Sequence, residues 1–182
     1  TNSIDYIIAD KILIPKENQK FFSEKIIYLP NTYQPNDFTK KISKKIFTRE
    51  EVGLPKDSFV FCCFCQNYKI TPNIFDIWMR ILKKNKVSVL WLIEDSNEGS
   101  NNLKKEAKKR GVDPNRIIFA KRMTTEEHLS RHKVADLFID TFPCNAHTTF
   151  SDALWSGLPV VTLMGQSFAS RVGGSLLNAV GL

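Results

Sequence analysis

The 182-residue sequence predicts an α/β fold: a Rossmann-like parallel sheet with helices on both faces. Three observations predict it. From residue 58 onward, short apolar runs recur without polar alternation, as strands buried on both faces require. Amphipathic segments at helical spacing separate these runs. Cap and turn residues fall at the joints between them. Strands that alternate with helices form parallel sheets, and such sheets bind ligands beyond the carboxyl ends of their strands.

Each element follows in chain order. Residues 6–9 and 25–29 read as short strands around a brief helix after Pro15. Residues 30–47 are polar, contain Pro30 and Pro35, and read as a linker. Thr48 and Glu51 form a capping box that starts a single turn, ended by Gly53-Leu54-Pro55. The run Phe59-Val60-Phe61-Cys62-Cys63-Phe64 is a strand, and Thr71-Pro72 supply the N-cap and first position of a helix. That helix carries Ile74, Phe75, Ile77, Trp78, Ile81 and Leu82 on one face. Residues 87–93 form a continuous apolar strand, and 102–110 a helix with Gly111 just past its end. Residues 117–119 are a strand. Thr124 and Glu127 cap a short helix that ends near Arg131. Strand 137–140, helix 149–156, strand 160–163 and helix 167–180 complete the series. The informative loops, 64–71, 120–128 and 141–149, all follow strands and therefore share one rim.

Bulk properties bound the partners. A chain 42% hydrophobic and 25% charged falls in the ordinary globular class. No apolar run reaches the ~18 residues of a membrane span and no signal peptide is present, so a cytoplasmic location is the default expectation. Both termini read as cut from a longer protein. A net charge of +7, with Lys concentrated in 40–45 and 104–110, favours anions such as nucleotides. No basic strand interleaved with aromatics occurs, so nucleic acid is not an expected partner. Cys62, Cys63 and Cys65 read as small apolar strand residues. Cys144 and His147 make one ligand pair at most, so neither a metal site nor a disulfide is expected.

The chemistry concentrates in Cys144-Asn145-Ala146-His147-Thr148-Thr149-Phe150-Ser151-Asp152, between a strand and a helix. The first N–H groups of a helix lack internal partners and sit at the positive end of its dipole, which makes an anion site. Thr148 and Thr149 add hydroxyls, and His147 adds an imidazole. Asp152, one turn in, can accept hydrogen bonds from a sugar diol. Phosphate at the helix end and ribose on the acid suit a nucleotide. On the loop Gln66-Asn67-Tyr68-Lys69, Lys69 can reach phosphate oxygens as a mobile charge. His128 and Arg131 share a helix face, where imidazole can stack on a base and guanidinium can donate to its carbonyl. Taken singly, these features read as an N-cap, a surface lysine and a capped surface helix. Three of them on one rim argue for a nucleotide site.

These stretches resemble the protein O-linked N-acetylglucosamine transferases, in the C-terminal half of their catalytic region and especially the bacterial type with tetratricopeptide repeats. The resemblance is carried by Gln66 with Tyr68-Lys69-Ile70, Ser88-Val89-Leu90-Trp91-Leu92, Asn115-Arg116-Ile117-Ile118-Phe119 and Glu126-Glu127-His128. It continues in Cys144-Asn145 with His147-Thr148-Thr149, Asp152, Leu154-Trp155 and Ala169-Ser170-Arg171-Val172. It implies the second, nucleotide-binding lobe of a two-lobed GT-B glycosyltransferase over residues 48–182, truncated at its C-terminus. Residues 1–47 would be the tail of the first lobe and a linker. The implied reaction moves N-acetylglucosamine from UDP to protein Ser or Thr with inversion and without a metal or other cofactor. By the same resemblance, Gln66 and Lys69 contact the diphosphate, and Lys69 acts in catalysis by stabilising departing UDP. His128, Arg131 and the backbone at Met123 hold uracil, His147, Thr148 and Thr149 bind phosphate, and Asp152 binds ribose. Animal members carry Lys where this chain has Thr125, so one ribose contact does not carry over. Implied partners are the acceptor protein, the rest of the catalytic region and the upstream repeats. The residues alone also leave open a non-catalytic Rossmann-like module that binds a nucleotide or a partner.

Overall fold

The computed structural model describes residues 3–182; Thr1 and Asn2 lie outside the described residues. Two parallel sheets are present. Strands β1 (Tyr6–Ala9) and β2 (Lys25–Tyr28) pair with each other, joined through a 3-10 turn at Lys16–Phe21. The main sheet holds β3 (Phe59–Cys63), β4 (Ser88–Ile93), β5 (Ile117–Ala120), β6 (Leu137–Ile139) and β7 (Val160–Val161). Its strand order is β5-β4-β3-β6-β7, all parallel. Helices α1 (Pro72–Lys84), α2 (Asn97–Lys109), α3 (Thr125–Arg131), α4 (Thr148–Trp155) and α5 (Val172–Ala179) follow in chain order. The expected α/β architecture is therefore present.

The chain builds outward in one direction from β3 through β4 to β5, then returns to the other side of β3 for β6 and β7. Right-handed crossovers on the two sides of that reversal put α1 and α2 on one face and α4 on the other. The reversal between β3 and β6 is the switch point at which such sheets open a crevice. Apolar strand composition follows from position. All six residues of β4 are buried, and Trp78, Trp91, Phe138 and Phe150 are fully enclosed.

Local cap chemistry sets the helix starts. Thr71 accepts from the Ile74 N–H, with Pro72 at the first position of α1. Thr124 accepts from the Glu127 N–H at α3. At Thr48 the box is reciprocal: the Thr48 N–H donates to Glu51 Oε2 (2.7 Å), and the Glu51 N–H to Thr48 Oγ1 (3.2 Å).

Four expectations need correction. Helix α2 begins at Asn97, well before residue 102, because Ser96 caps it through the Gly99 N–H (3.0 Å). Segment 167–180 is not one helix: Ser167 and Ser170 close a separate 3-10 turn, and α5 restarts at Val172. Between them the Arg171 guanidinium is drawn to the carbonyls of Ile12 (2.7 Å) and Gly165 (2.9 Å). Strand β7 stops at Val161, and the next residue, Thr162, donates through its hydroxyl to Asp140 Oδ2 (2.6 Å). Finally, segment 30–47 has no regular structure but is not a free linker. The Ser43 N–H donates to the Glu126 carbonyl (3.0 Å), and Ser130 Oγ donates to the Lys45 carbonyl (2.5 Å). Residues before it are also docked: Asp10 is buried and accepts from Ile12 N, Leu13 N, Tyr33 N and Ser175 Oγ. Among the described residues, no helix is long and apolar enough to cross a membrane.

Candidate functional site

Two side chains at the end of β6 shape the loop that enters α4. Asp140, 6% exposed, accepts the N–H of Thr141 (2.7 Å), the N–H of Ala146 (2.7 Å) and the Thr162 hydroxyl. Burial pushes its carboxyl up to about 6. Asn145 is wholly enclosed; it donates to the Thr141 carbonyl (3.0 Å) and accepts from the Gly173 N–H (3.2 Å). A Cβ on Gly173 would come within 2.6 Å of Thr162 Oγ1, so only glycine lets α5 approach this closely. The loop is thus tied to both of its neighbours.

What the loop presents is an uncapped helix end. His147 is the N-cap of α4, with φ −108° and ψ −92°, and makes no side-chain cap bond. Thr148 and Thr149, candidates for an ordinary cap, are instead the first two helical residues. The contrast with the side-chain caps of α1, α2 and α3 is direct. The N–H groups of Thr148 and Thr149 therefore remain for an outside acceptor. In the same depression, Lys69 Nζ donates to the Asn145 carbonyl (2.8 Å) and makes no ion pair among the described residues. Gln66, Lys69, Cys144, His147, Thr148 and Thr149 line one depression of about 450 Å³.

A second depression, about 300 Å³, adjoins it and shares Phe64, Gln66 and Thr149 with it. Met123, His128, Arg131 and Asp152 complete its wall, together with Arg122 and Thr125. Arg131 is 1% exposed: its guanidinium donates to the Lys121 carbonyl (2.5 Å), contacts His128 Nδ1, and lies over the rings of Phe64 and Trp91. Burial pulls it down to about 10, and no carboxylate is paired with it among the described residues. Asp152 is bound at Oδ1 by Lys40 Nζ (2.7 Å), while Oδ2 accepts no hydrogen bond from the described residues. The two depressions form one trough along the crevice between β3 and β6. All nine candidate residues, from Gln66 to Asp152, line it.

Residues 39–182 match the family model described as Glycosyl transferase family 41. The chain belongs to glycosyl transferase family 41. Over 184 residues, 98% of this family 41 chain, it is 39% identical to a probable UDP-N-acetylglucosamine–peptide N-acetylglucosaminyltransferase, SEC, of Arabidopsis thaliana. It is 44% identical over 135 residues, 74% of its length, to the UDP-N-acetylglucosamine–peptide N-acetylglucosaminyltransferase of Caenorhabditis elegans. The chain spans 19% and 12% of those two proteins. A solved structure of a mutant Thermobaculum terrenum O-GlcNAc transferase matches all of the chain at TM-score 0.83 and 28% identity, over 34% of that structure.

Sequence reasoning missed two residues that support the wall from behind. Tyr33 and Lys40 come from the supposed linker of this family 41 chain and reach His147 and Asp152 across more than a hundred residues. No local periodicity marks such contacts. Phe64 carried a signal, since it ends an apolar strand at the switch point. It packs edge-on to Trp91 and tilted against His128.

All three histidines of the sequence are pulled below the ordinary imidazole value. Burial, then Arg131, pulls His128 down to about 3; burial pulls His132 down to about 4; burial and then Lys69 lower His147. A depressed imidazole stabilises the fold above its unfolded value, about 6.5, and loses that contribution as pH falls toward the folded value. Asp140, raised from 3.8 to about 6, acts oppositely and favours the fold below that window. Two large imidazole shifts outweigh one carboxyl. The urea midpoint is therefore expected to fall between pH 7 and pH 5; a constant or rising midpoint would show that the histidines are not buried neutral.

Proposed function

We propose that this chain is the donor-binding part of an inverting glycosyltransferase that moves N-acetylglucosamine from UDP to Ser or Thr of proteins. The observation that carries the reading is the uncapped N-terminus of α4, set at the switch point and faced by Lys69. A diphosphate there satisfies the free N–H groups of Thr148 and Thr149 and places negative charge on Lys69. Gln66 sits beside the same anion. In the adjoining depression uracil lies against His128, with the backbone at Met123 and the guanidinium of Arg131 supplying its polar edge. Ribose hydroxyls donate to the open Oδ2 of Asp152.

Departure of UDP builds negative charge on the diphosphate. Lys69 and the helix end stabilise that charge from fixed positions, where preorganised donors lower the barrier most. The names of the plant and nematode relatives support the donor and the peptide acceptor. Residues 48–182 are then the second lobe, and 1–47 the tail of the first with its connection. The acceptor hydroxyl, its base, the rest of the catalytic region and the repeats lie with the remainder of a longer protein. Four unpaired cysteines, three of them buried, suit a reducing compartment, so cytoplasmic residence is part of the proposal.

The charge on Lys69 and the helix end fills the role of a divalent cation, so binding is proposed to be metal-independent. Calorimetric titration of UDP should give the same Kd in EDTA as in Mg²⁺ or Mn²⁺. A large loss of affinity on chelation would overturn the assignment of diphosphate to these groups.

A further inference from the structure

The Tyr33 hydroxyl lies 3.0 Å from His147 Nδ1. Two contacts hold Tyr33 in place. Its N–H donates to the buried Asp10 (3.0 Å), and its ring packs edge-on against Phe168 with centroids 5.2 Å apart. A phenol is a strong donor and a weak acceptor, whereas an unprotonated imidazole nitrogen is a strong acceptor. Among the described residues the phenol oxygen has no other hydrogen-bond partner. When Nδ1 accepts, the single proton of a neutral imidazole sits on Nε2. His147 Nε2 is shielded from solvent and has no hydrogen-bond partner among the described residues. The ring lines the trough beside Lys69, Thr148 and Thr149. A buried polar atom left unpaired is costly, so a ligand oxygen that pairs with it gains accordingly.

We propose that Tyr33 is a positioning residue that fixes His147 as the neutral Nε2–H tautomer, making it a donor to an anionic oxygen at the start of α4. The inference rests on the proposed diphosphate site for its ligand, but the tautomer itself is a property of the free protein. Burial raises the Tyr33 phenol to about 12 and keeps it protonated, and burial with Lys69 lowers His147, which favours the neutral ring. One residue of segment 30–47 thereby sets the proton of a donor-site residue 114 positions away.

Ring ¹H–¹⁵N long-range correlation spectra of the 182-residue chain, free of ligand, test the tautomer. Only three histidines contribute, and loss of signals in His147→Gln identifies the ring. Wild type is expected to show Nε2 protonated and Nδ1 bare. Tyr33→Phe keeps the backbone bond to Asp10 and the ring contact with Phe168, and should shift His147 toward a mixture. UDP affinity should fall about 3- to 10-fold in Tyr33→Phe, one neutral hydrogen bond's worth, with uridine affinity unchanged. In a His147→Gln background the side-chain amide is an N–H donor whatever Tyr33 does, so Tyr33→Phe should add no further loss. A wild-type Nδ1–H ring, a tautomer indifferent to Tyr33→Phe, or an equal affinity loss in both backgrounds overturns the inference. Failure of wild type to bind UDP would instead overturn the donor-site reading, and the spectra would still decide the role of Tyr33.

Discussion

Lys69→Ala is expected to weaken UDP binding by roughly 10- to 150-fold, the equivalent of one charge-assisted hydrogen bond of ~1.5–3 kcal/mol. Lys69 comes from the turn after β3 and the α4 N-terminus from the loop after β6, and both line the depression proposed to hold the anion. The free lysine is already aimed: its Nζ rests on the Asn145 carbonyl, at the base of the loop that leads to His147. A diphosphate oxygen replaces or shares that acceptor without moving the stem far. UMP should lose less affinity than UDP because the lysine is assigned to the diphosphate, and uridine should lose none. Calorimetry on the three ligands separates the cases. An equal loss for uridine would mean that the substitution disturbs the loop and not the anion.

Asp140→Ala is expected to destabilise the fold by about 3–5 kcal/mol, whereas Asp140→Asn should change stability by less than about 1 kcal/mol. The carboxylate answers two backbone N–H groups in the loop and one hydroxyl after β7. Thr141 and Ala146 are enclosed, so no water replaces the lost acceptor in the alanine variant. Each stranded donor costs about 1–3 kcal/mol. Removing a buried charge offsets part of this, as the elevated carboxyl at about 6 indicates. The asparagine variant keeps one carbonyl oxygen for both N–H groups and sheds the charge, and Thr162 need only turn from donor to acceptor. Urea unfolding at pH 7 distinguishes the pair. Equal loss in both variants would mean that charge, and not acceptor geometry, holds the loop.

The sequence reads most clearly where chemistry is local. Unbroken apolar runs marked β3 and β4 because a doubly covered strand tolerates no polar alternation. Thr71-Pro72, Thr124 and the Thr48–Glu51 box marked their starts because an orphan helix N–H wants an oxygen within three residues. The start of α2 was passed over although Ser96 signalled it, since Asn97-Glu98-Gly99-Ser100-Asn101 carries weak helix formers. The break at Arg171 was illegible: a hydrogen bond to Ile12, across the whole chain, decides it. The trough divides the same way. Its candidate residues sit in motifs whose spacing states their purpose, and the sheet order brings those motifs together. Tyr33 and Lys40 act through long-range contacts, which no window along the chain can register.

Base selectivity is the sharpest test of the trough as a uridine nucleotide site. In the proposed site His128, flanked by Phe64, stacks on the base, and the donors around it are proposed to pair with the carbonyls of uracil. ADP and GDP present a larger purine and the wrong edge. TDP keeps the edge but adds a methyl group and lacks the ribose 2′-hydroxyl assigned to Asp152. Calorimetric titration of the chain with UDP, ADP, GDP and TDP under one set of conditions is expected to give UDP the lowest Kd, by roughly tenfold or more for each hydrogen bond the others lose. Equal affinity for all four diphosphates would contradict the account, leaving an anion site at the head of α4 with no nucleotide specificity behind it.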